Sequence, residues 1–185
     1  MLRRTVIALV AAFLCTVVAL PSDADAAGKV GVANSVSLST KSDPGKEAEK
    51  QLTTLFGKER EQLEKQSADL NKQAEDLKKQ AAALSEKARN ERTQKIQKQA
   101  QELDAKGAAY TQRLSRVQQA INAQMNEVLR EACEQFAKKN GYDMIVDASV
   151  VMFYTQGNDV TEGLIEEVNK VWKAQGGKFK LNNVK

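Results

Sequence analysis

Leu77-Lys78-Lys79-Gln80-Ala81-Ala82-Ala83-Leu84-Ser85-Glu86-Lys87-Ala88-Arg89-Asn90-Glu91-Arg92-Thr93-Gln94-Lys95-Ile96 is where two regular apolar trains meet out of step. Upstream, Phe56, Leu63, Leu70, Leu77 and Leu84 recur every seven residues, with Ala74 and Ala81 four places after a leucine. Downstream, Ile96, Leu103, Tyr110 and Val117 form a second train, with Ala100, Gly107, Leu114, Ile121 and Val128 as its companion row. Each train is a narrow helical seam. Between them, residues 85–95 hold Ala88 as their one apolar side chain, and the step from Leu84 to Ile96 is not a multiple of seven. A continuous coiled-coil rod needs one unbroken stripe. The slip therefore predicts that the chain folds back near Asn90, with a tip over 85–95. That reversal pairs Leu84 with Ile96, Leu77 with Leu103, Leu70 with Tyr110, Leu63 with Val117 and Leu52 with Val128. Two period-seven trains give such a constant sum automatically, so the polar gap and the phase slip carry the reading, and a stutter in one long rod is the alternative.

Around this stretch, residues 45–140 contain no proline and are dominated by Ala, Gln, Glu, Lys and Leu, the composition of helices. Asp43-Pro44 marks the start, and Asn140-Gly141 supplies the left-handed residue that commonly follows a helix. The arm is thus 44–140. At about 1.5 Å per residue it extends about 60 Å, with a thin seam that leaves its outer part marginally stable.

The flanks carry strand patterns. Lys29-Val30-Gly31-Val32-Ala33-Asn34 is one, and Tyr142-Asp143-Met144-Ile145-Val146-Asp147 and Val150-Val151-Met152-Phe153-Tyr154 are two more. A turn at Gln156-Gly157-Asn158-Asp159 precedes an amphipathic helix from Thr161 to Trp172, with Asp159 or Thr161 as its cap. The expected architecture is α+β: a small β head, 27–43 and 141–172, with a long antiparallel helical hairpin inserted between the first strand and the remaining strands. Residues 173–185, with four lysines and no acid, form a loose basic tail. So small a head has a marginal core of its own. Oligomerisation is the expected remedy, with Val30, Val32, Ile145, Val146, Val151 and Phe153 as the core of the assembled head.

The N-terminus has the zones of a secretory signal: Arg3 and Arg4, an uncharged run from Thr5 to Leu20, and small residues at Ala24 and Ala26. Cleavage is expected after Ala26, giving segment 1–26 as a signal peptide and a periplasmic product. The run is short for a bilayer span of about 20 residues, and Leu14 before Cys15 is not a lipidation context. The formal charge is +4 and the pI about 9.0. Such a surface suits acidic partners, and export disfavours nucleic acid. Cys133 alone survives processing, so no intramolecular disulfide staples the fold.

No histidine is present. That removes the commonest general base and metal ligand. One cysteine makes no zinc spacing, the glycines form neither a dinucleotide nor a phosphate loop, and carboxylate pairs such as Glu75-Asp76 lie in charged helical stretches. No catalysis, cofactor or metal is expected. One local charge excess is present: Lys78, Lys79, Lys87, Arg89, Arg92, Lys95 and Lys98 against Glu86 and Glu91. It reads either as a solvated turn or as a contact for an acidic client or anionic lipid, felt over about 8 to 10 Å at working salt.

The signal, the segment Lys29-Val30-Gly31-Val32-Ala33-Asn34, the charged helical insert, Tyr142-Asp143-Met144-Ile145-Val146-Asp147-Ala148 and the closing Asp159-Val160-Thr161 together resemble the Skp/OmpH-like periplasmic chaperones. The arms match in composition and heptad character only, and the extension after Trp172 departs from the pattern. The resemblance implies a homotrimer whose short strands build a central β body, with hairpins around a cavity that holds unfolded outer-membrane proteins without ATP. It further implies lipopolysaccharide as a possible ligand of basic arm residues, although Lys106 and Arg116 make no complete cluster. Two rivals are an envelope spacer built on a rod and a lipopolysaccharide- or membrane-surface-binding protein.

Overall fold

A computed structural model describes residues 28–181; the signal segment and its cleavage point lie outside them. The elements, in order, are β1 (Val30–Ala33), α1 (Ser35–Lys41), α2 (Asp43–Gln80), α3 (Glu86–Asn140), β2 (Met144–Asp147) and α4 (Thr161–Ala174), with two 3-10 turns, Ala148–Val150 and Gln156–Asn158, between the last two. Strand β1 pairs in parallel with β2, Val30 opposite Met144 and Ala33 opposite Asp147. A parallel pair requires a long crossover, and here the crossover is the whole hairpin.

Each helix boundary has a local cause. The Ser42 hydroxyl accepts the Gly45 amide and Pro44 fills the first turn of α2, where a missing N–H costs nothing. The Ser85 hydroxyl accepts the Ala88 amide to open α3. Gly141, at φ 67°, closes α3 as expected. Helix α1 is an addition to the segment 27–43, expected as head and first strand. Asn34 caps it by accepting the Ser37 amide at 2.8 Å, and its Ser- and Thr-rich composition hides it from a propensity argument.

The hairpin is antiparallel, but its tip and register are corrected. The chain reverses over residues 81–85, and Asn90 lies inside α3. Arg92 donates to Gln80 at 2.8 Å, Arg113 pairs with Glu59, and the Phe56 and Tyr110 rings meet edge to face at 5.7 Å. Facing residue numbers thus sum to about 166–173 instead of 180. Leu77 shares a groove with Ile96, and Leu70 with Leu103. The slip is about one heptad, because a seven-residue repeat fixes register only modulo seven and the tight turn chooses among the solutions. Cysteines at Leu77 and Ile96, in a Cys133→Ser background, should therefore form an intrachain disulfide far more readily than a Leu77/Leu103 pair; the reverse order on non-reducing gels would contradict this register.

The core lies where the arm meets the head. Val117, Ile121, Met125, Val128 and Ala132 of α3 pack with Leu164, Ile165, Val168, Val171 and Trp172 of α4, joined by Phe56, Leu38 and Val160. The head is consequently larger than its strands and α4, since the base of the arm supplies much of its core. By contrast, no residue from 57 to 116 is fully buried.

Two further expectations are revised. Residues 150–154 form no strand: the Asp147 carboxylate accepts the Ser149 amide at 2.7 Å and turns the chain into the first 3-10 turn. The third position beside β1 goes to a single bridge between Val32 and Asp159. The tail is not loose over its described length. Phe179 is buried against Trp172, ring centroids 4.6 Å apart, and the Lys180 backbone is held by Gln124.

Candidate functional site

Two surfaces remain once the core is assigned: the arm with its basic tip, and an apolar row beside the strands. Lys78 and Lys79 occupy the last turn of α2, while Lys87, Arg89, Arg92, Lys95 and Lys98 follow along the first turns of α3. The antiparallel reversal brings all seven to one end of the molecule, and every one is exposed. Glu86 opens α3 and Glu91 lies between the cations, so the end keeps a strong positive excess. Cations at the C-terminus of α2 complement its dipole, whereas those opening α3 oppose the dipole there. Arg92 is anchored by Gln80.

Below the tip, the faces of α2 and α3 do not close. Leu63 and Leu103 flank a groove of about 640 Å³ beside Gly107 and Ala108. A neighbouring groove places Leu70 and Leu103 among Gln66, Asp69, Gln73 and Gln99. The Gln99 Oε1 is buried there without a protein hydrogen-bond partner. Leucines half-exposed among amides and carboxylates can make many weak contacts, both apolar and polar, along an extended chain.

At the head, the sequence-derived core residues separate. Val32 is buried, Ile145, Val146 and Val151 are half-buried, and Val30 is 38% exposed. Phe153 is 82% exposed, with Val150 at 76% and Met152 at 104%. Three large apolar side chains in water within four consecutive residues are unusual for a finished surface. The carboxyl of Asp147, which leads into this row, is held at a pKa of about 2 by hydrogen bonds with Ser149 and then Ser35. With its folded value depressed, it stabilises the turn throughout neutral pH, and this contribution fades only as acid takes the pH from the ordinary carboxylate range down through about 2.

The chemistry of the described residues is otherwise quiet. No group of three metal-binding side chains occurs among them, and burial pushes the half-buried Cys133 thiol upward, away from the reactive thiolate. No helix among them is long and apolar enough to cross a membrane.

The family model for outer membrane protein (OmpH-like) matches residues 29–168, from the start of β1 into α4. The chain belongs to the OmpH-like family. Among relatives, it is 24% identical over 160 residues to the chaperone protein Skp of Pectobacterium atrosepticum, covering 86% of this chain and 97% of that one. Among solved structures, it matches the crystal structure of an outer membrane chaperone (OmpH-like) from Caulobacter crescentus with a TM-score of 0.60, at 16% identity and over 85% and 91% of the two chains. The latter likeness shows a shared fold. The OmpH-like match ends within α4, so the clasped C-terminal segment lies beyond it. A signal for that segment was available: Phe179 and Leu181 follow Trp172 at an interval that returns an apolar side chain to the same core, past the Gly176-Gly177 bend.

Proposed function

We propose that this chain is an ATP-independent holdase chaperone that binds unfolded outer-membrane proteins in the periplasm and keeps them from aggregating. The observation that carries the reading is the arm itself: two long helices with half-exposed leucines in polar grooves and no fully buried side chain from 57 to 116. Unfolded barrel strands offer alternating apolar and polar side chains with unpaired backbone groups. No single rigid pocket matches that variety; many weak contacts on a yielding arm do. The names of the relatives support the same reading.

In this proposal the chain works as a homo-oligomer, a trimer by family resemblance, assembled through Val150, Met152 and Phe153 together with the exposed edge of the strand pair. Oligomerisation rests on that apolar row, since the arm base enlarges the head core and weakens the argument from head size. The direct test is sedimentation of the chain from Ala27 onward, with and without a urea-diluted outer-membrane barrel protein. Co-sedimentation of soluble client at fixed stoichiometry is expected, and client pelleting unchanged by the protein would refute the holdase reading.

The basic tip acts in capture, with anionic lipid or lipopolysaccharide as further partners of the same charge. Long-range attraction works mainly on encounter rates. Replacing Lys87, Arg89, Arg92 and Lys95 together by Gln should slow association with an acidic client about tenfold at low salt and flatten its salt dependence, a range that electrostatic steering spans. Stopped-flow association at two ionic strengths reads both. An unchanged rate and slope would reduce the tip to a solvated turn.

A further inference from the structure

The C-terminal segment makes contacts that a simple terminus does not need. After α4, Gly176 and Gly177 adopt φ of 102° and 64°, values that side chains rarely accept. The chain thereby leaves the helix axis and returns along α3. Phe179 then enters the core at 6% exposure, against the Trp172 ring. One residue later, Gln124 grips the backbone from both sides: its Nε2 donates to the Lys180 carbonyl at 3.1 Å, and its Oε1 accepts the Lys180 amide at 2.9 Å. An amide side chain that reads both the donor and the acceptor of one residue recognises extended backbone irrespective of sequence. The aromatic pocket beside it adds one side-chain requirement. Backbone pairing plus a pocket for a single side chain is a general way to bind an extended peptide.

We infer that the groove between α3 and α4, lined by Gln124 and Trp172, is a binding site for an extended polypeptide segment bearing an aromatic residue, and that Phe179–Leu181 is its internal occupant. The segment is held by one aromatic side chain, one amide side chain and a half-buried Leu181, and its two-glycine tether lets it leave without disturbing α4. An aromatic-bearing stretch of unfolded client offers the same chemistry and competes for the groove. The inference rests on the holdase reading for the source of that competitor. It adds a second contact point at the base of the arm, opposite the tip, so that a client is held at both ends of the hairpin. The segment also shields the groove when no client is present, keeping an aromatic pocket out of contact with other copies.

The test uses the chain from Ala27 with Cys133→Ser and Lys178→Cys, Lys178 being exposed, carrying a nitroxide spin label at position 178. The free protein should give a motionally restricted spectrum. Adding a urea-unfolded barrel protein should convert most of it to the sharp lines of a released tail, while client co-sediments. A Phe179→Ala version should start out mobile and bind the same client several-fold more tightly, because no internal occupant has to be displaced. Trp172 is the one tryptophan in the chain, so its emission in that variant should shift red alone and return toward blue with client. A label that stays restricted while client co-sediments overturns the inference and leaves the holdase reading standing. Failure of every variant to hold client overturns both. A Phe179→Ala variant that binds client no more tightly and keeps a red Trp172 emission when loaded also overturns the inference.

Discussion

Substituting both Met152 and Phe153 by glutamate should convert the proposed oligomer to monomers while each protomer keeps its fold. Both side chains stand in water within one chain, at 104% and 82% exposure, so nothing inside the protomer depends on them. Burying two such residues between copies contributes roughly 1.5–3 kcal/mol each, and two carboxylates in the same interface would add a desolvation penalty. With tenfold in affinity for each 1.4 kcal/mol, the loss is at least about a hundredfold. Sedimentation equilibrium should report the mass of one chain, with an unchanged far-ultraviolet circular dichroism spectrum. An unaltered mass would place the assembly elsewhere. Ile145 is a poorer probe of the same idea, because it is half-buried against the protomer's own core. A charge there removes fold and assembly together.

Replacing Val168 by aspartate should unfold the head. Val168 is fully buried on α4, in the cluster that joins α3, α4 and the base of α2. The basic groups of its own helix, Lys170 and Lys173, are already paired outward with Glu167 and Asp43. An unpaired carboxylate in such surroundings costs several kcal/mol, comparable with the 5–15 kcal/mol that typically separates a folded domain from its unfolded state. The thermal transition should fall by well over 10 °C or vanish, whereas Glu166→Gln on the exposed face of the same helix should melt within about 2 °C of the parent. A Val168→Asp protein that melts with the parent would show that this packing does not hold the head together.

The hairpin, the two strand segments and the closing helix were legible because each rests on a pattern that only one kind of local structure satisfies, whereas the parallel pairing of β1 with β2 was not specified by any local pattern. Heptads give helices, the alternation at Lys29–Asn34 gives β1, and the run from Leu164 to Trp172 gives one buried face. What was hidden depends on information a period cannot carry. Leu77 could face Leu103 or Ile96 equally well by repeat, and only the turn at 81–85 decides. Arg89-Asn90-Glu91-Arg92 resembled a loop because it is polar, yet these residues continue α3 beyond its well-packed part. Val150 to Tyr154 has strand composition, but within one chain it meets no free strand edge, so β propensity goes unused. The basic tip was found by counting charges, and the reversal brings those residues to one end. The Gln124 grip on Lys180 was not legible, since two residues so far apart in sequence become partners only after α3 and α4 have packed.

The burial profile of α3 has a mechanical consequence. Its 55 residues form one unbroken helix, fixed from Val117 onward by fully buried core residues and without a fully buried side chain from Arg116 to Glu86. It is therefore a cantilever about 46 Å long, fixed at one end. Deflection of about 15° at the point of fixation sweeps the free end through roughly 12 Å, and in the proposed oligomer such a swing would widen or narrow the space between neighbouring arms. On the proposed holdase reading, stiffness, set by where burial stops along α3, would govern how large a client fits, so shifting that boundary outward by apolar substitutions at Glu59 and Arg113 would trade capacity for grip.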